Sequence, residues 1–254
     1  MSNSEISSKA RIGNNFSVKS FSIIEDDVEI GDNVEIASNV LIANGARIAS
    51  NVKIHHGAVV STIPQDLKFG GELTTLEIGE GTVIREFATL NRATNHSKRT
   101  IIGKNCFIMA YTHVAHDCRI GDNVIIANSV QMGGHVSIDD FAIIGGAAVI
   151  HQFSKIGERV MIGGGFRVVK DVPHYILAGG YPLKYEGLNV IGLRRKGFTN
   201  EQIANIRKAY DEIYHSGLNF GDAVKKIRQT FEMTPEITRI VEFIETSERG
   251  ILKG

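Results

Sequence analysis

The sequence predicts a mainly β chain with an α tail, in which a parallel β-helix of six-residue repeats precedes a small C-terminal helical domain. Three observations carry that reading. Positions numbered in multiples of six, from Ile6 to Val168, hold Ile, Val, Leu or Met at 25 of 28 sites, the exceptions being Asp66, Glu72 and His96. The fourth residue of each hexad is often Asn, Asp or Gly, as at Asn15, Asn33, Asn39, Gly45, Asn51, Gly57, Asn105 and Asn123. Those types tolerate the left-handed turn conformation, so each hexad reads as a short strand followed by a bend. After Val172-Pro173 the period of six stops and helical spacing begins.

In the repeat, the aliphatic residue points inward and the fifth residue is small or β-branched, as at Val28, Val34, Ala46, Val52 and Val124. Three hexads close one triangular coil, and stacked coils hydrogen-bond along the axis at about 4.7–4.9 Å per rung. The pattern does not give handedness; it resembles that of left-handed β-helix proteins, and a left-handed helix is expected. A bare prism leaves flat faces to bury against copies of itself, so a homotrimer is expected. The stretches Ser61 to Thr75 and about Asn95 to Arg99 are polar and break the pattern, which resumes in phase at Ile78 and Ile102. They read as loops thrown out from a rigid scaffold, the usual carriers of function. The first domain is placed at 1–180 and the helical domain at 181–254. In the latter, Thr199 and Gln202 make a capping box, and Ile203, Ile206, Ala209, Tyr210 and Ile213 follow on one face before the stop at Ser216-Gly217. Further helices are expected near 221–231 and 235–246, with a short one through 187–196.

Bulk properties narrow the function. The chain has 254 residues with 28 basic and 28 acidic side chains, a balance that argues against a general nucleic-acid binder. Cys106 and Cys118 read as small buried thiols of a cytoplasmic enzyme rather than as a disulfide. No apolar run is long enough for a membrane span, and no signal for export is evident.

Residues 18 apart fall on the same corner of adjacent coils. One corner therefore collects Ala115-His116-Asp117, Gly133-Gly134-His135, His151-Gln152-Phe153 and Val169-Lys170-Asp171. Another corner of the same coils carries ordinary turns such as Gly121-Asp122-Asn123. His113, three residues before His116, raises a zinc reading of the kind found in γ-type carbonic anhydrases, but zinc needs three imidazoles converging on one point. The histidines here climb the edge with different offsets. Acid–base chemistry fits better: a neutral imidazole takes a hydroxyl proton, Asp117 fixes its tautomer, and the bare Gly134 N–H meets a developing oxyanion. Hydroxyl, base and oxyanion donor describe acyl transfer to an alcohol, and without a serine or cysteine nucleophile in the column, direct transfer. A zinc hydratase and a non-catalytic trimeric scaffold remain the readings from other classes. A further corner stacks Gly145-Gly146-Ala147 on Gly163-Gly164-Gly165, a strip open to an extended chain or another subunit, or simply a run of tight turns.

Ordered motifs go further. Gln65-Asp66-Leu67-Lys68, His113-Val114-Ala115-His116-Asp117-Cys118, Gly134-His135-Val136-Ser137-Ile138-Asp139-Asp140-Phe141, His151-Gln152-Phe153, Asp171-Val172-Pro173, Gly192-Leu193-Arg194-Arg195-Lys196-Gly197-Phe198 and Ser247-Glu248-Arg249-Gly250 resemble the UDP-N-acetylglucosamine O-acyltransferases of lipid A biosynthesis over essentially the whole chain. The resemblance implies transfer of an (R)-3-hydroxyacyl chain from acyl carrier protein to the 3-hydroxyl of UDP-N-acetylglucosamine, in clefts between subunits of a homotrimer. No cofactor or metal is implied, the acyl group arriving on the phosphopantetheine of the carrier. It makes His116 the base, Asp117 its orienting partner and Gly134 the oxyanion donor. His113, His135, His151 and Gln152 would position substrate, Lys68 would reach in from the first loop, and Asn189 and Arg195 would hold the nucleotide. Gly164 matches a position that governs acyl length. The chain departs from the pattern at Asn91 and Pro182, where histidine is common, at Ile191, where an acidic residue is, and at Lys196, where arginine is. Asn91 is carried as a substrate contact and Pro182 as the end of the acyl groove. The alternatives are another hexapeptide acyltransferase, using acetyl-CoA or acylating a later glucosamine intermediate, and a relative that acylates a 3-amino sugar.

Overall fold

The structure, a computed structural model, describes residues 3–254. From Glu5 to Val168 short strands alternate with turns, and every third strand pairs in parallel with the one a coil earlier. The strands thus sort into three sheets, the faces of a triangular prism. Face one runs from Glu5–Ile6 to Arg167–Val168 and face two from Arg11–Ile12 to Lys155–Ile156. Face three starts at Ser17–Val18, reaches Met161–Ile162 and is completed by Ile176–Gly179 and Lys184–Leu188. The register is 18 residues per coil: His113 pairs with Gln131, Ser137 with Lys155, and Ile125 with Ile143. The fold is a left-handed parallel β-helix with a helical tail.

The six-residue rule is the core. From Ile24 to Val168 each of its aliphatic side chains is at most 4% exposed, and burying one stabilises the fold by roughly 1.5–3 kcal/mol. Ile6, on the first coil with no coil before it, is 42% exposed, as expected at the open end of a stack. All eight turn residues named above have positive φ. The same slot also takes Phe21, Phe87, Tyr111, Phe141 and Phe153, which a rule based on turn chemistry does not anticipate. Stacking helps offset the backbone cost: Phe87 lies on Tyr111 with ring centroids 5.3 Å apart, and Phe153 on His135 at 4.4 Å.

Both breaks in the repeat leave from one edge. Val60 pairs with Leu90 and Leu90 with Val114, 30 and 24 residues on instead of 18, so the excursions add 12 and 6 residues. Each lies between a strand of face one and the next strand of face two, the edge that carries the histidines. Their limits are narrower or shifted relative to expectation. Strands extend to Thr62 and restart at Thr75, so the first excursion is 63–74. The second is 92–98, because Arg99 already belongs to the strand Arg99–Ile102.

The expected domain limit at residue 180 falls inside the antiparallel hairpin that pairs Ile176 with Leu188, so face three continues to Leu188. Four helices follow: α1 (Val190–Arg195), α2 (Asn200–His215), α3 (Phe220–Thr230) and α4 (Pro235–Glu245). The Thr199–Gln202 capping box is formed, and the five apolar residues named for α2 are its buried face. Several contacts join the tail to the β-helix. Tyr210 Oη donates to the His174 carbonyl at 2.7 Å. The His174 ring, whose Nδ1 accepts from the Glu158 N–H at 2.7 Å, packs edge-on against Phe243 of α4. Ser247 Oγ donates to the buried Asp171 carboxylate at 2.6 Å.

Candidate active site

Winding the chain brings the histidines to the edge between faces one and two. His113 projects from the end of face one, and His116 and Asp117 form the following corner. Asp117 occupies the left-handed slot with φ 61°, a conformation that aspartate tolerates better than most residues. Its side chain is fully buried and wrapped by the second excursion. Thr94 Oγ1 donates to Oδ2 at 2.8 Å, the Ser97 N–H to Oδ1 at 3.1 Å, and Ser97 Oγ also donates to Oδ1. The Thr94 N–H straddles both oxygens. His116 Nδ1 is 2.7 Å from Oδ2. Burial pushes the Asp117 carboxyl up, but the donors from Ser97, His116 and Thr94 outweigh it and hold the group at about 2. An ionised carboxylate at Nδ1 keeps the proton there and leaves Nε2 as the basic atom of His116.

Gly134 lies one coil on, against the His116 ring. A Cβ at that position would sit 2.5 Å from His116 Cε1, so only glycine fits. No intrachain acceptor for its N–H is found among the described residues. His135, next in sequence, places Nε2 3.9 Å from Asp117 Oδ2 and its ring edge-on to His116 at 5.2 Å. Burial lowers its pKa, Asp117 opposes that, and His116 and His96 add to it. His113 is lowered by burial and by His116, and its Nδ1 is 2.8 Å from Thr89 Oγ1. Both imidazoles are therefore neutral at pH 7 and able to contact a neutral sugar or amide. Another coil up, His151 Nδ1 donates to the Gln152 carbonyl at 2.9 Å, and the Gln152 side chain is exposed.

The donor set does not suit a metal. His116, Asp117 and His135 offer ligand atoms within 4.8 Å of one another. Yet Asp117 Oδ2 already accepts from His116 Nδ1 and Thr94, and His113 turns to Thr89. Zinc needs its ligands free and about 2 Å from one point.

The other expected contacts are spread more widely. Lys68 is exposed on the first excursion, where its N–H donates to Asp66 Oδ1 at 2.9 Å; Asp66 reaches the column electrostatically, acting on His135. Asn91 lies under the first excursion. It is 3% exposed, and its amide nitrogen braces the base of the first excursion through Thr62 Oγ1 and the Ile63 carbonyl, each at 3.0 Å. Asn189 and Arg195 lie on a different edge, between faces two and three. Asn189 caps α1, accepting from the Gly192 N–H at 3.1 Å and donating to the Arg159 carbonyl at 3.0 Å. Arg195 is exposed at the end of α1, beside Lys196, whose ammonium lies 4.5 Å from the Phe141 ring centre. Within one copy, then, they do not join the histidines. Gly164 sits on the third edge, where a Cβ would meet the Gly146 carbonyl oxygen at 3.0 Å. Pro182 lines a cavity of about 230 Å³ with Arg167, Val169, Lys170, Tyr181, Leu183 and Leu252, one coil beyond His151.

Sequence reasoning gave no role to Thr94, His96 and Ser97. His96 packs edge-on against His135 at 4.7 Å. The available signal was its place among the three exceptions to the six-residue rule.

Known proteins match the chain throughout. A family model described as UDP-N-acetylglucosamine O-acyltransferase, domain 2, matches residues 171–252, and the bacterial transferase hexapeptide model matches 9–44 and 99–134. An acyl-[acyl-carrier-protein]–UDP-N-acetylglucosamine O-acyltransferase from Thermodesulfovibrio yellowstonii is 41% identical over 98% of this chain and 96% of its own length. One of the same name from Sulfurihydrogenibium is 49% identical over 97% and 91%. Among solved structures, a UDP-N-acetylglucosamine acyltransferase from Bacteroides fragilis superposes with a TM-score of 0.96 at 48% identity, covering 99% of this chain and 98% of that one. With coil register, both excursions and the helical tail all inside the matched length, the chain belongs to the acyl-[acyl-carrier-protein]–UDP-N-acetylglucosamine O-acyltransferase family.

Proposed function

We propose that the chain transfers an (R)-3-hydroxyacyl group from acyl carrier protein to the 3-hydroxyl of UDP-N-acetylglucosamine, with His116 as general base. The observation that carries this is the trio of a carboxylate-anchored His116, a bare Gly134 N–H against its ring, and neutral His113 and His135 beside it. His116 Nε2 takes the hydroxyl proton as the sugar oxygen attacks the thioester carbonyl. The Gly134 N–H receives the charge on the tetrahedral oxygen. Collapse breaks the carbon–sulfur bond, and the phosphopantetheine thiolate leaves with the proton held by His116. No acyl-enzyme is needed, and none is favoured: burial pushes the Cys106 and Cys118 thiols up to about 11 and about 12. The carrier's phosphopantetheine is the prosthetic group the reaction uses; the chain itself needs no cofactor.

The site is completed by copies of the chain in a homotrimer. Face two carries charged ladders, such as Arg47 with Asp27 and Glu29, and suits water. Faces one and three expose Ile23, Val149 and Ile125, and the edge between them exposes Phe21, Phe87 and Tyr111. Turning that edge toward a threefold axis buries these exposed apolar side chains, face one of each copy against face three of the next. The histidine edge of one copy then meets the Asn189–Arg195 edge of its neighbour. A cytoplasmic setting follows from the carrier-borne donor, the nucleotide sugar and the unpaired buried thiols. Among the described residues no helix is long and apolar enough to cross a membrane.

Mass spectrometry of the product formed from UDP-N-acetylglucosamine and carrier proteins loaded with a series of chains tests the reading. The expected result is one ester at the 3-hydroxyl; no product with any chain would contradict it.

A further inference from the structure

The geometry points to Thr94 and Ser97, on the second excursion, as positioning residues that set the basicity of His116 through Asp117. The inference rests on the base assignment proposed above. Asp117 accepts from five donors: the N–H and hydroxyl of Thr94, the N–H and hydroxyl of Ser97, and His116 Nδ1. Four of the five come from an insertion that the β-helix does not require. A corner of ordinary length there would leave the carboxylate with His116 alone, free to rotate or to take water. With both oxygens tied, it has one orientation, and the imidazole Nδ1–H has one acceptor.

The hydroxyls also share out the carboxylate's charge. A carboxylate that accepts several hydrogen bonds is a weaker base and attracts an imidazolium less strongly. A weaker pull on the imidazolium favours the unprotonated ring that a base must present to its substrate. The other titratable groups around the pair are His113 at the end of face one, His135 on the next coil, His96 on the same excursion, and Asp66 on the first excursion, which acts on His135. None of them donates to Asp117 in the structure, whereas both hydroxyls do.

The test compares Ser97→Ala and Thr94→Val with Thr94→Ser, which keeps its hydroxyl, and with the native chain. For the first two, kcat at neutral pH falls roughly tenfold, the loss of one hydrogen bond to a charged group, while KM for UDP-N-acetylglucosamine stays within about twofold. Removing a donor concentrates charge on Asp117 and stabilises the His116 imidazolium. The acid limb of the pH–kcat profile therefore moves to higher pH, by roughly half a pH unit, and Thr94→Ser leaves it in place. NMR titration of the His116 ring in Ser97→Ala gives the same shift without turnover. Native kcat in the first two variants, or a fall in kcat with neither the acid limb nor the ring titration moved, would overturn the inference. Absence of transfer by the native chain would instead sink the proposed reaction, while the ring titration would still decide the role of the hydroxyls.

Discussion

At the residue scale the proposed mechanism depends on one hydrogen bond and one missing side chain. His116→Ala is expected to lower kcat by at least about a hundredfold, the usual worth of a general base, with the chain still folded because its ring lies outside the aliphatic core. Asp117→Ala is expected to cost less, since the base itself remains and only its orienting anion at Nδ1 is lost. Steady-state rates checked against circular dichroism separate both from unfolding. Gly134→Ala places a methyl 2.5 Å from His116 Cε1; the ring must move, and a loss of at least about tenfold in kcat follows from the misplacement alone. The histidine column was legible in the sequence because its residues lie in uninterrupted hexads, where position modulo 18 is position in space. Thr94 and Ser97 were not. They sit on an excursion whose path depends on side-chain contacts rather than on period, so nothing in their spacing pointed at Asp117.

At the element scale the excursions and the joint with the helical tail carry the consequences. Both insertions are multiples of six in length, so core phase survives them and the pattern alone located them to within three residues. Their common edge became visible only once strands were assigned to faces. Asn91 shows the same limit: its place in the sequence gave no sign that its amide nitrogen would brace Thr62 and Ile63. The joint with the tail has its own pH dependence. Burial pushes the His174 imidazole down to about 3, with Arg239 adding to the effect. The folded pKa is below the unfolded one, so unfolding binds a proton, and stability present above about pH 6.5 is lost as pH falls toward 3. Between pH 7.5 and pH 5 the loss from this residue is about 2 kcal/mol. Thermal unfolding should show it in the native chain and show less of it in His174→Gln. An equal pH dependence in both would assign the acid sensitivity elsewhere. On the glycine edge, Gly164→Met is expected to shorten the preferred acyl chain, read from the donor series; an unchanged preference would remove this strip from the acyl path.

At the scale of the whole molecule, one face of the prism is lined with charged ladders, the other two expose several large apolar side chains, and the expected nucleotide contacts lie on an edge the histidines do not share. The proposed ring of three copies accounts for both. Phe87→Glu together with Tyr111→Glu is expected to break the trimer, as read by sedimentation, and to abolish transfer with the single chain still folded. The outward residues of each strand were readable in the sequence, but which edge holds α1 was not, because the hairpin through Pro182 resets the phase before the helix begins. The most direct test mixes two inactive proteins, His116→Ala and Arg195→Ala, after subunit exchange. If each site takes His116 from one copy and Arg195 from the next, about a quarter of the sites in random mixed trimers carry both residues, and activity returns to roughly that fraction of native. No recovery, with exchange verified by mass, would contradict a site shared between copies.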